Sequence, residues 1–97
     1  MAKSIIDNSN YCYICSRYKC RYTLAKHTHH CISGTANRQL ADEDGLTVRL
    51  CPKCHDRLHA MSEHKRDLQI IAEKAWLDHY GKTIQDFIER YGQNYIF

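Results

Sequence analysis

A chain of 97 residues, 43% hydrophobic and 26% charged, with four Gly and one Pro, is sized and composed for one globular domain rather than a disordered or fibrous chain. No apolar run approaches the roughly 20 residues that span a bilayer, and Met1–Asp7 lacks the apolar centre of a secretory signal, so a soluble, cytoplasmic protein without a membrane partner is expected. The net charge of +3 is uneven: residues 1–38 hold six Lys/Arg against the single acid Asp7, residues 39–64 hold three against five, and residues 65–97 balance at five each.

In chain order, residues 1–10 read as a loose lead-in. Residues 11–20 carry the first Cys-x-x-Cys, Cys12 and Cys15. Residues 21–31 hold Thr, Tyr and Leu suited to a strand and end in the His-rich run Lys26-His27-Thr28-His29-His30. Residues 32–45 read as a loop with at most one helical turn. Leu46-Thr47-Val48-Arg49-Leu50 alternates apolar and polar, as a half-buried strand does, and runs into Cys51-Pro52-Lys53-Cys54. The period then becomes helical. One helix is expected from His55 to about Met61, with Ser62-Glu63-His64 breaking it or capping the next. A second starts near Asp67, with Leu68, Ile71, Ala72, Ala75, Trp76 and His79 on its inner stripe, and ends at Gly81. Thr83 suits the N-cap of a last short helix that points Ile84, Phe87, Ile88 and Tyr91 inward and stops at Gly92. The domain plan is a lead-in (1–10), a zinc-stapled core (11–64) and a helical C-terminal extension packed on that core (65–97).

Six cysteines without a secretory signal point to metal rather than disulfides. Cys12-x-x-Cys15 and Cys51-x-x-Cys54 stand 35 residues apart. Each pair supplies two thiolates from a tight turn, and four thiolates make a tetrahedral structural zinc site. The competing reading is four cysteines packed as small hydrophobes. Cys20 and Cys31 are left over.

The chain holds seven histidines. His55 and His59, four apart, share one face of the expected helix and suit two nitrogen ligands of one metal. His29 and His30 are adjacent at a strand end. Both can serve one site only if the strand ends, twists or bulges there, because neighbouring strand residues point to opposite faces. Any one of these residues alone reads more readily as a surface histidine; the joint arrangement is the sharper signal. Basic residues Arg17, Lys19, Arg21 and Lys26 interleave with Tyr11, Tyr13, Tyr18 and Tyr22, a pattern suited to a nucleic-acid backbone or to an ordinary solvated face.

Taken together, Cys12-x-x-Cys15, His29-His30, Leu50-Cys51-Pro52-Lys53-Cys54-His55 and His59 resemble the HNH endonuclease family, the ββα-metal (His-Me finger) fold. The resemblance covers residues 12–59. The stretches His29–Arg38 and Gly45–Cys51 also look similar to small phage- and prophage-encoded members. The resemblance implies a small α+β, zinc-stabilised domain with zinc-ribbon-like four-cysteine knuckles, acting on DNA as a phosphodiester hydrolase. It places His30 as the general base and His29, His55 and His59 as ligands of a catalytic divalent ion. Three imidazoles suit Zn, Ni or Co better than Mg, although the family often works with Mg or Mn. The place of the family's middle Asn holds Gly45-Leu46 here, which leaves Asn37 as the nearby candidate. Arg17, Lys19, Arg21, Lys26 and Arg38 are the candidate contacts to the DNA backbone. The alternative is a non-catalytic zinc module, on the same fold, that binds DNA or protein.

Overall fold

The computed structural model describes residues 3–96. The elements run α1 (Tyr13–Tyr18), β1 (His27–His30), α2 (Thr35–Asp44), β2 (Thr47–Leu50), α3 (Pro52–Met61), α4 (Lys65–Tyr80) and α5 (Ile84–Tyr91). This is an α+β domain around one two-stranded sheet. The strands pair antiparallel, with His27 opposite Leu50, His29 opposite Val48 and His30 opposite Thr47. The alternation read at Leu46–Leu50 is therefore a real strand, and Leu46, Val48 and Leu50 are buried in the core. Pro52 opens α3 at a position where its missing N–H costs nothing.

β1 is shorter than the stretch 21–31 suggested. Residues 23–25 bond instead to the first knuckle: Cys12 N–H donates to the Thr23 carbonyl and Ala25 N–H to that of Asn10. The first knuckle is itself helical, with the Cys12 sulfur at the N-cap accepting from Cys15 N–H.

The largest departure is α2, ten residues of helix where a loop was expected. Ala36, Arg38, Gln39, Leu40, Ala41 and Glu43 are good helix formers. Of the helix, only Ala41 and Asp44 are buried, so the segment carries little hydrophobic periodicity. Gly45 ends it at φ +77, its N–H closing on the Ala41 carbonyl. A Cβ there would also collide with the Lys3 carbonyl oxygen. That close approach corrects the reading of the lead-in (1–10) as loose for residues 3–6; residues 1 and 2 lie outside the described residues. Ile5 N–H donates to the Gly45 carbonyl, Ser4 Oγ to that of Thr47, and Ile5 and Ile6 pack against the core.

A break in the helix at Ser62–His64 separates α3 from α4, with Ser62 and His64 both at positive φ and His64 stacked on Tyr18 at 3.9 Å. The buried stripe of α4 is Leu68, Gln69, Ala72, Glu73 and Trp76. It keeps Leu68, Ala72 and Trp76 of the expected stripe, with Ile71 packed at its edge, but turns toward Gln69 and Glu73, and His79 is exposed. The rotation follows from polar partners: Glu73 is fully buried because its carboxylate takes the Tyr95 N–H. α5 has the expected Thr83 cap, reinforced by a reciprocal bond with Asp86. Leu68, Trp76, Phe87, Tyr91 and Tyr95 join Ile14, Ile32, Val48, Leu50 and Leu58 in one core, so the C-terminal helices complete the domain rather than append to it. They lock onto α2 through Asp44, whose carboxylate accepts from Trp76 Nε1 (2.8 Å), Arg90 Nε (2.6 Å) and Nη2 (2.9 Å), and Tyr91 Oη (2.6 Å).

Candidate metal centres and the histidine cavity

Cys12, Cys15, Cys51 and Cys54 converge, all buried, with sulfurs within 4.8 Å of one another. Cys15 Sγ lies 3.9 Å from Cys51 Sγ and 3.6 Å from Cys54 Sγ. A tetrahedral ion with Zn–S bonds of about 2.3 Å separates its sulfurs by about 3.8 Å, so the four positions fit a structural metal such as zinc. A disulfide would bring the sulfurs to about 2.05 Å, and all six cysteines are free. Burial pushes the Cys15 thiol up, but hydrogen bonds from Thr23 and the other three thiols outweigh it and bring it down to about 7. Burial and the other three thiols push Cys54 far up. Four thiolates this close require a cation. Lys19 contributes to that balance, its Nζ 3.7 Å from Cys54 Sγ. Cys20 is exposed; Cys31 is fully enclosed, its thiol pushed up to about 12 by burial. Neither joins the cluster.

The helix that begins between Cys51 and Cys54 carries His55 on its next residue and His59 one turn later. These meet His29 of β1, and one ring nitrogen from each lies within 4.8 Å of the others. His55 Nε2 and His59 Nε2 stand 3.0 Å apart. A metal with bonds of about 2.0–2.1 Å to nitrogen holds its tetrahedral ligands roughly 3.3 Å apart, so small side-chain adjustments bring this set around one ion. The imidazoles are ready for it. Burial, and then the neighbouring His55 and His59, hold His29 down to about 4. Burial, His59 and His27 also lower His55. Near neutral pH, His29 and His55 thus offer lone pairs rather than protons. Three ligands leave a coordination position open, unlike the closed four-cysteine set.

A cavity of about 390 Å³ opens beside this cluster, lined by His29, His30, His55, His59, Arg38 and Lys65 among others. His29 and His30 both reach it, although they are adjacent, because β1 ends at His30 and the chain turns at Cys31–Ile32. His30 Nε2 lies 2.7 Å from Asp42 Oδ1 on α2. A carboxylate there accepts the Nε2 proton, which leaves Nδ1 as the basic nitrogen.

Of the sequence candidates, His29, His55 and His59 come together, and His30 stands at the same cavity. Asn37 does not reach His30: its amide donates to the Ser33 and Tyr91 carbonyls, tying the start of α2 to the end of α5. Arg17, Arg21, Lys26 and Arg38 are exposed, whereas Lys19 is half-buried beside the cysteines. Arg17 lies over the Tyr13 and Tyr18 rings. The sequence reading missed Asp42, Lys65 and His27. Strand alternation from His29 would have found His27. Nothing short of knowing α2 would have found Asp42.

No protein-family model, curated protein or solved structure matches the chain.

Proposed function

We propose that this chain is a metal-dependent endonuclease of the HNH type that hydrolyses DNA phosphodiester bonds. The observation that carries the reading is the convergence of His29, His55 and His59 in one cavity with His30, itself held by Asp42. The antiparallel β1–β2 pair leading directly into α3 supports it, as does the four-cysteine cluster that fixes the start of α3.

His29, His55 and His59 would hold a divalent ion, which supplies Lewis-acid stabilisation of the phosphate and the leaving oxygen. His30 does the proton work. With its Nε2–H donated to Asp42, Nδ1 takes a proton from water as the water oxygen bonds to phosphorus and the bond to the leaving sugar oxygen breaks. Arg38 and Lys65, on the cavity wall, offset the phosphate's negative charge. Arg17, Arg21 and Lys26 follow the flanking backbone, a contact that confers affinity without reading bases.

The competing reading, a non-catalytic zinc module for DNA or protein, draws on Asn37, whose amide is committed to backbone carbonyls away from His30. Nicking of supercoiled plasmid separates the two. Wild type should nick with Mg, Mn or Ni, and His30→Ala should cut at least about 100-fold more slowly with its zinc content and circular dichroism unchanged. Equal cutting by the variant removes His30 as the base. A wild type that fails to cut with any of these metals leaves the binding module.

A further inference from the structure

The His55 ring has two nitrogens, and they face different neighbours. Nε2 lies 3.0 Å from His59 Nε2, inside the three-histidine cluster. Nδ1, on the other side of the ring, lies 3.0 Å from Nδ1 of His27, with the two rings edge-on at 5.1 Å. His27 is exposed and sits two residues before His29, on the same face of β1. It does not belong to the group of donors that converge for an ion.

We propose that His27 is a positioning residue: its Nδ1 accepts the Nδ1–H of His55, fixing that ring with Nε2 turned toward the metal. This rests on the three-histidine site of the proposed function but not on its hydrolytic chemistry. The atoms dictate the assignment. An imidazole that binds a metal through Nε2 carries its proton on Nδ1, and that proton needs an acceptor. His27 Nδ1 is an acceptor when its own proton is on Nε2, and the exposure of His27 lets that N–H be met by water. The bond fixes the tautomer and orientation of His55 and raises its basicity as a ligand. Most metal-bound histidines receive this service from a carboxylate or a backbone carbonyl, whereas here β1 supplies both a ligand, His29, and the partner that aims a second ligand on α3. The bond also gives His55, half-buried between the buried His29 and the exposed His59, a defined orientation before metal arrives.

The test is titration of cobalt(II) into protein whose four-cysteine site is already filled with zinc, comparing wild type, His27→Ala and His27→Gln. Loss of a hydrogen-bonding partner of a metal-bound histidine weakens affinity by about 10- to 100-fold. His27→Ala should show that loss while its cobalt absorption spectrum keeps the wild-type band positions, because the ligands are unchanged. His27→Gln, whose side-chain oxygen accepts the same proton, should recover most of the affinity. An unchanged dissociation constant in His27→Ala overturns the proposal, and so does a spectrum shifted to a lower coordination number, which would make His27 a direct ligand. A wild type that takes up no second ion removes the three-histidine site itself, and this inference with it.

Discussion

Replacing Asp44 by Ala tests how the C-terminal helices hold the domain together. Asp44 is 8% exposed and takes four hydrogen bonds from three side chains on α4 and α5. In Asp44→Ala, the Trp76 indole N–H and the Tyr91 hydroxyl lose their acceptor inside the core, where an unmet donor costs about 1–3 kcal/mol. Arg90 is partly exposed and can turn toward Glu43, 3.5 Å away, so its loss is smaller. The sum is about 3–5 kcal/mol, in the range for breaking a buried charged network. At about 4–8 °C per kcal/mol for a domain of this size, Asp44→Ala should lower Tm by at least about 12 °C. Asp44→Asn keeps one acceptor and the shape, and should fall between the two. The assay is thermal unfolding followed by circular dichroism with zinc saturating throughout. A Tm for Asp44→Ala within about 4 °C of wild type would refute the reasoning.

Removing the ion from the four-cysteine site with a strong chelator should unfold the chain, because structural zinc contributes about 10–16 kcal/mol in small domains, as much as or more than their whole stability; helical circular dichroism should collapse and return with zinc. Acid should weaken the protein lacking the histidine-site ion through His29, held at about 4 against 6.5 when unfolded. The unfolded chain binds that proton first, so stability is full above about pH 6.5 and falls by roughly 3 kcal/mol on the way to pH 4. Urea unfolding of His29→Gln across that range should show a shallower decline than wild type. Binding to duplex DNA should weaken with salt, with a log–log slope near −4 if about four cations meet phosphates, and pairwise neutralisation of Arg21 and Lys26 should reduce the slope by about two.

Much of this arrangement is legible in the sequence where chemistry imposes spacing. The two Cys-x-x-Cys pairs and His55-x-x-x-His59 lie on tight turns and one helix face, geometries that spacing alone defines. β2 is legible because one face is buried, and α5 because Thr83 and Gly92 mark its ends. α2 is not, because its helix rests on propensity and on long-range contacts from Asn37 and Asp44 instead of an apolar stripe. Asp42 was hidden with it: a carboxylate in an apparent loop gives no sign that it will meet a histidine twelve residues back. In α4, Leu68, Ala72 and Trp76 are legible, but the burial of Glu73 is not, for a related reason. Glu73 looks solvent-facing until the Tyr95 N–H that it caps is known.

The hydrolytic reading turns on whether an ion at the three-histidine site drives cutting. Plasmid nicking and metal content, measured on the same samples of wild type and His29→Ala, address this directly. Wild type should hold two ions per chain and nick when the second is present. His29→Ala should hold only the cysteine-bound ion, keep its fold and fail to nick. Undiminished nicking by His29→Ala with that single ion would contradict the proposed function.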